Sequence, residues 1–154
     1  MSRKYVNVAV AALAEDSTIS AWATGGILPR DPRRSGPNST DGSFTTTPDG
    51  DIKPVIGVVD AMGTKAFSRV QGAVSDAIEV RIFAPDFHGF WDEMDAIAER
   101  IIRLLNGYRA SNEAPGVFQY AYRMGIQNGG AFVDVAYTEI AFDILSLYPR
   151  LEAA

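Results

Sequence analysis

D-A-I-E-V-R-I-F-A, residues 76–84, sets Ile78, Val80 and Ile82 on one side of the chain and Glu79 and Arg81 on the other. A period of two is that of an extended segment with one face in a core, so these residues are predicted to form a strand. Pro85 then breaks the run, and the apolar period changes. Phe90, Met94, Ile97, Ile101, Leu104 and Leu105 recur at spacings of three and four, which lays them along one side of a helix over 90–108. Asp92, Glu93 and Asp95 occupy its first turns, Arg100 and Arg103 its later ones, and Asn106-Gly107 supplies the stop. Charge order and capping therefore agree with the helix dipole.

Reading outward from this strand-helix pair, 55–59 is a compact β-branched run interrupted by Gly57 and is predicted to be a second strand. Residues 63–74 between the two mix small and polar side chains, as in a strand extension or a connection. Downstream, 117–126 and 131–147 are rich in aromatic and β-branched residues and flank Asn128-Gly129-Gly130, a strong hairpin signal. In the last strand Val133, Val135 and Tyr137 would share one face, and Asp134, Ala136 and Thr138 the other, more polar one. Upstream, Tyr5, Val8, Ala9, Ala12 and Leu13 define a helix over 4–14. Asp16 or Ser17 can cap a short second helix carrying Ile19 and Trp22, which Gly25 and Gly26 stop. The order helix, strand, strand, helix, strand, strand predicts one α+β domain over 1–154: a mostly antiparallel sheet of about four strands with helices on one face.

Residues 29–54 interrupt this pattern with five prolines and three glycines, and only Phe44 and Ile52 are sizeable apolar residues there. Loops of this length are generally functional or disordered. The pairs Asp41-Gly42 and Asp49-Gly50 can each turn the chain, which predicts a protruding hairpin arm at about 30–53. Arg30, Arg33 and Arg34 are the one short basic cluster and lie in the same loop.

Composition narrows the functions open to the chain. An apolar content of 47% over 154 residues supports a single packed core. No apolar run approaches the roughly 18 residues that span a bilayer, and Arg3, Lys4 and Asn7 break the first segment, so neither membrane span nor signal peptide is expected. The absence of cysteine excludes disulfides, thiolate zinc sites and a cysteine nucleophile. Fourteen basic against nineteen acidic residues disfavour a surface that grips nucleic-acid phosphates throughout. His88, the sole histidine, lies between a proline break and a helix start with no G-x-S-x-G nearby, so a nucleophile-base arrangement has little to work with. Acids at 92–99 suit a helix start as well as a metal, and Asp49-Gly50-Asp51 lacks the further ligands of a calcium loop. No phosphate-cradling glycine motif occurs, and neither cofactor nor metal is expected. Phe118, Tyr120 and Tyr122 alternate along one predicted strand and could stack bases or a ligand, but with Arg123 as their one basic companion they read better as core or subunit interface.

Five segments together resemble the tail terminator, or tail completion, proteins of long-tailed bacteriophages: A-E-D-S-T-I-S-A-W-A (14–23) closing the first helix, P-V-I-G-V-V-D (54–60), D-A-I-E-V-R-I-F-A (76–84), I-A-E-R-I-I-R-L-L-N (97–106) and V-A-Y-T-E-I-A-F-D-I (135–144). The likeness runs over most of the chain and includes no catalytic signature; the 30–53 insertion looks longer than the family's usual loop. It implies a structural virion protein made in the host cytoplasm. Six copies would form a ring on the head-proximal end of the tail that caps the tail tube, stops its growth and joins the head connector or stopper protein, with DNA passing through the lumen without specific binding. On that reading Arg30, Arg33, Arg34, Phe44, Phe118, Tyr120 and Tyr122 are candidates for subunit or partner contact. A head-closure role in the same neck and a small ligand-binding domain are the alternatives.

Overall fold

The computed structural model of the chain describes residues 3–32, 44–66, 73–85, 89–111, 113–127 and 135–147. Three helices, α1 (Arg3–Glu15), α2 (Ser17–Trp22) and α3 (Phe90–Leu105), accompany five strands. These are β1 (Ile27–Leu28), β2 (Val55–Ala66), β3 (Ala73–Pro85), β4 (Val117–Gln127) and β5 (Val135–Leu147), in the sheet order β1-β2-β3-β5-β4. β1 runs parallel to β2 and every other pair is antiparallel, so the fold is α+β with a mixed sheet. β3 and β4 flank β5 and run parallel to each other, and α3 makes the crossover between them. The fifth strand, Ile27–Leu28, is two residues long and beyond the reach of any periodicity argument.

The alternation in 76–84 sets the layers. Ile78, Val80 and Ile82 are fully buried beneath the helices, with Ile56 and Val58 from β2 and Ile140, Phe142 and Ile144 from β5 in the same core. The helices answer with Tyr5, Val6, Ala9, Leu13, Ile19, Met94, Ile97 and Ile101. In α1 it is Val6 that is fully buried, while Val8 is half-buried and packs at the margin. Asp16 caps α2 as expected, accepting from the N–H groups of Thr18 at 3.1 Å and Ile19 at 3.0 Å. It also accepts from Arg100 Nε of α3 at 2.9 Å. This guanidinium, followed by the Ile19 and Thr18 N–H groups, holds the Asp16 carboxyl below the ordinary range.

The opposite face of the sheet is not left to solvent. Val55, Phe83, Val135 and Tyr137 form a second apolar cluster there, packed on by Leu28, Phe44 and Ile52. Phe83 lies between Tyr137, at 4.8 Å between ring centroids, and Phe44, at 5.3 Å. Residues 44–53 thus seat Phe44 and Ile52 on the sheet, where two large apolar side chains in an otherwise polar loop find the cheapest burial, while Pro48, Asp49 and Gly50 at the turn stay exposed. The Asp49-Gly50 turn does form, with the Gly50 N–H donating to Thr47 O at 2.9 Å, Gly50 at φ +90°, and Thr46 bridged to Ile52. Asp41-Gly42, His88 and Asn128-Gly129-Gly130 lie outside the described residues. The division expected within β5 is also corrected. Ala136 and Thr138 are both fully buried, and Ala136 belongs to the core beneath the helices, so the face they share is not the polar one; Glu139 and exposed Asp143 lie on the face of Val135 and Tyr137, and Val133 and Asp134 lie outside the described residues.

A polar knot closes the core where β4 begins. The Tyr5 hydroxyl accepts from the Gly116 N–H at 3.0 Å and shares a hydrogen bond of 3.0 Å with Ser146 Oγ, all three buried. A Cβ on Gly116 would stand 2.4 Å from Ile144 Cγ2 and 2.6 Å from the Tyr5 oxygen. Gly116→Ala is therefore expected to cost about 2 kcal/mol through overpacking and a broken knot. A lower urea midpoint with an unchanged slope would bear this out, and an unchanged midpoint would contradict it.

Candidate assembly surface

β4 is the outer strand of the sheet, and its two halves differ. Along the first half, residues 106–108 use up the outward backbone groups. Phe118 N–H donates to Tyr108 O at 3.0 Å, Gly107 N–H to Phe118 O at 2.7 Å, and Tyr120 N–H to Asn106 Oδ1 at 3.0 Å. Beyond Tyr120, among the described residues, the β4 backbone bonds to β5 alone, through the strand pairing and through Thr138 Oγ1, which donates to Met124 O at 3.0 Å. An uncovered edge of this kind is a template for a strand of another chain.

The side chains of β4 are not distributed as a simple alternation predicts. Its register against β5 shifts between Tyr120, opposite Phe142, and Tyr122, opposite Ala141. One extra residue turns everything after it over. Phe118 stays on the helix side and is fully buried, edge-on to Tyr5 and Tyr108 at 6.0 Å each. It is a core residue and is not available for contact, which corrects its place among the predicted interface residues. Tyr120 lies over Phe142 at 6.2 Å and keeps 40% of its surface exposed. Tyr122 is carried to the opposite face, so the three rings do not share the one face that simple alternation gives them.

Tyr122 and Met124 emerge on that opposite face at 48% and 46% exposure, and with Tyr120 they are the large exposed hydrophobic residues among those described. Met124 shares the face of Tyr122 by simple alternation, but only the bulge carries the two away from the face of Phe118 and Tyr120. Arg123 turns to the helix side, where it donates to Thr138 Oγ1 at 3.2 Å and pairs with Asp95 of α3. Its charge thereby lies on the face opposite Tyr122 and is engaged by Asp95, which leaves the exposed Tyr122 and Met124 without Arg123 beside them.

Between this patch and the loop lies an ion cluster. Arg81 of β3 donates to Asp31 Oδ2 at 2.6 Å, to Glu79 Oε2 at 2.7 Å and, through Nε, to Glu139 Oε1 of β5 at 3.4 Å. Asp31 and Glu139 are buried, at 9% and 8% exposure. Burial first, then the hydrogen bond and charge of Glu79, push the Glu139 carboxyl up to about 7, against the pull of Arg81. Burial also acts to raise Glu79, but its hydrogen bonds with Glu139 and Arg81 outweigh this and bring it below the ordinary value. Carboxyl groups in contact near a single guanidinium share a proton. A Cβ on Gly57 would lie 2.3 Å from the Pro32 ring and 2.4 Å from Arg30 O, so the backbone of 30–32 sits directly on β2.

Of the other predicted contact residues, Arg30 is exposed, Phe44 is half-buried on its own sheet, and Arg33 and Arg34 lie outside the described residues. A recess of about 110 Å³ lies among Leu28, Arg30, Pro32, Phe44 and Val55. That is well under the roughly 300 Å³ at which small-molecule sites begin. Among the described residues no three His, Cys, Asp or Glu side chains are grouped to hold a metal, and Arg81 fills the middle of the acidic cluster. No protein-family model and no curated protein matches the sequence.

The raised Glu139 favours the folded state fully below its unfolded value near 4.5, and this contribution is lost as pH rises toward about 7. Removing the guanidinium should sharpen that dependence, because Asp31, Glu79 and Glu139 would then lose the cation that they share. Arg81→Leu is expected to lose about 2–3 kcal/mol at pH 7.5 and roughly half as much at pH 4.5. Urea unfolding at the two pH values checks it; an equal loss at both would mean that the acids do not depend on Arg81.

Proposed function

We propose that the chain is a structural virion protein: a tail terminator whose copies close into a ring on the end of the tail tube. The ring halts tube growth, meets the head connector on its other side and lets DNA pass through its lumen. The observation that carries this reading is the second half of β4, a strand edge with no partner among the described residues, flanked by exposed Tyr122 and Met124. A subunit that presents one such edge can pair it with a different surface of the next copy, and repeated head-to-tail contact closes into a ring. The five-segment resemblance supplies the biological setting. The sparse inventory of reactive side chains agrees with a purpose met by surfaces, and a net charge of −5 suits a lumen through which DNA slides.

The joint variant Tyr122→Ser, Met124→Ser tests the reading, since both side chains are about half exposed and their loss should leave the fold intact. Native mass measurement is expected to show a ring of six for the unaltered chain, bound to tube ends when tail-tube protein is added. The variant should keep its circular dichroism and need at least about tenfold more protein to assemble. A monomer at every concentration that never joins a tube end would overturn the proposal.

A further inference from the structure

Strand pairing sets the exposed patch of β4 beside the acidic cluster. On the second face of the sheet Met124 of β4 lies opposite Glu139 of β5, and Glu139 opposite Arg81 of β3. In the adjoining row Tyr122 lies opposite Ala141, and Ala141 opposite Glu79. Side chains directly opposite one another stand about 5 Å apart at Cβ and diagonal ones about 7 Å. Both β4 side chains therefore border Glu139, and only the Ala141 methyl group separates Tyr122 from Glu79. The strap of residues 28–32 and 44–53 covers Val55, Phe83 and Tyr137 on this face and leaves Tyr122 and Met124 bare. The cluster next to the patch retains some water, with side-chain exposures of 10% for Glu139, 16% for Glu79 and 22% for Arg81.

We infer that assembly through Tyr122 and Met124 takes up a proton into the Glu79–Glu139 pair, so that copies of the chain associate more tightly as pH falls through the neutral range. This coupling rests on the assembly proposed above and gives it a control. A subunit seated on the two β4 side chains also closes over the adjoining carboxyls and removes the water that remains to them. Loss of that water disfavours the doubly ionised pair and spares the pair that holds a proton, in which one carboxyl donates to the other. In the free subunit burial, then Glu79, already hold the Glu139 carboxyl at about 7. Further burial raises it in the assembled state, so assembly is favoured below the transition and weakened as pH rises through it, by up to one proton per interface. Facing Glu139 on this side of the sheet are Arg81 and Glu79 of β3, the Tyr122 phenol of β4, the Tyr137 phenol and exposed Asp143 of its own strand, and Arg30 and Asp31 of the strap. Arg81 and Glu79 are the two that act on the carboxyl directly, and Asp31 and Arg30 have other contacts as well.

Sedimentation velocity of the full chain at pH 6, 7 and 8.5, with circular dichroism to verify the fold at each, tests the coupling. The concentration at half assembly is expected to rise by about tenfold from pH 6 to 8.5. Glu139→Gln, which cannot ionise, should assemble at pH 8.5 as readily as the unaltered chain does at pH 6. If that variant does not fold, Glu79→Gln serves in its place: without the neighbouring charge the transition should move to lower pH. Assembly at one concentration across the whole range would overturn the coupling and leave the ring standing. Tighter assembly at high pH would also overturn it, since a cation of the next copy would then be pairing with the carboxylates. A chain that stays monomeric at every pH would overturn the ring and the coupling together.

Discussion

The register of β3 against β5 is the constraint on which the other parts depend. Ile82 opposite Thr138, Arg81 opposite Glu139 and Val80 opposite Ile140 bring apolar side chains under the helices and charges together on the other side in one stroke. A slip by a single residue would send Ile78, Val80 and Ile82 toward the strap and Glu79 and Arg81 into the apolar core. Both errors are costly, because unpaired charge in an apolar layer is penalised far more heavily than a lost methyl contact. The pairing is unbroken from Ala73 opposite Leu147 to Pro85 opposite Val135, and β2 and β4 add to a frame already aligned.

The two faces are finished in different ways. Helices on the first face bring whole apolar stripes, and Tyr5, Gly116 and Ser146 satisfy one another's polar groups at the seam. On the second face the covering is a strap with two anchoring side chains, Phe44 and Ile52, and one buried ion pair. Such a cover is weaker, and it extends over Val55, Phe83 and Tyr137 without reaching Tyr122 and Met124. The two faces are thus closed by different means, helices on one and residues 28–32 and 44–53 on the other.

Much of the frame could be read from the residues. The period of two in 76–84, the three-and-four spacing in 90–105 and the Asp16 cap are local signals, and the structure contains all three. What escaped is non-local. Glu79 and Arg81 stand in the sequence only as the polar alternates of Ile78, Val80 and Ile82, since nothing in their neighbourhood announces Asp31 or Glu139. The turnover of β4 after Tyr120 depends on a single extra residue that no hydropathy pattern marks, and it moves Tyr122 and Met124 to the face opposite Phe118. Phe44 and Ile52, in a loop of prolines and polar residues, were visible as apolar residues, but their seat on the sheet depends on Phe83 and Tyr137.

Thiol labelling of a cysteine placed at position 124 measures the central claim, that the outer half of β4 is where copies meet. The chain has no cysteine of its own, so Met124→Cys reports alone, with Asp143→Cys on exposed β5 surface as the reference. In the assembled protein the 124 thiol is predicted to react at least about tenfold more slowly than in dilute monomer, while the 143 thiol changes little. Equal reactivity at 124 in assembled and dissociated protein would contradict the account.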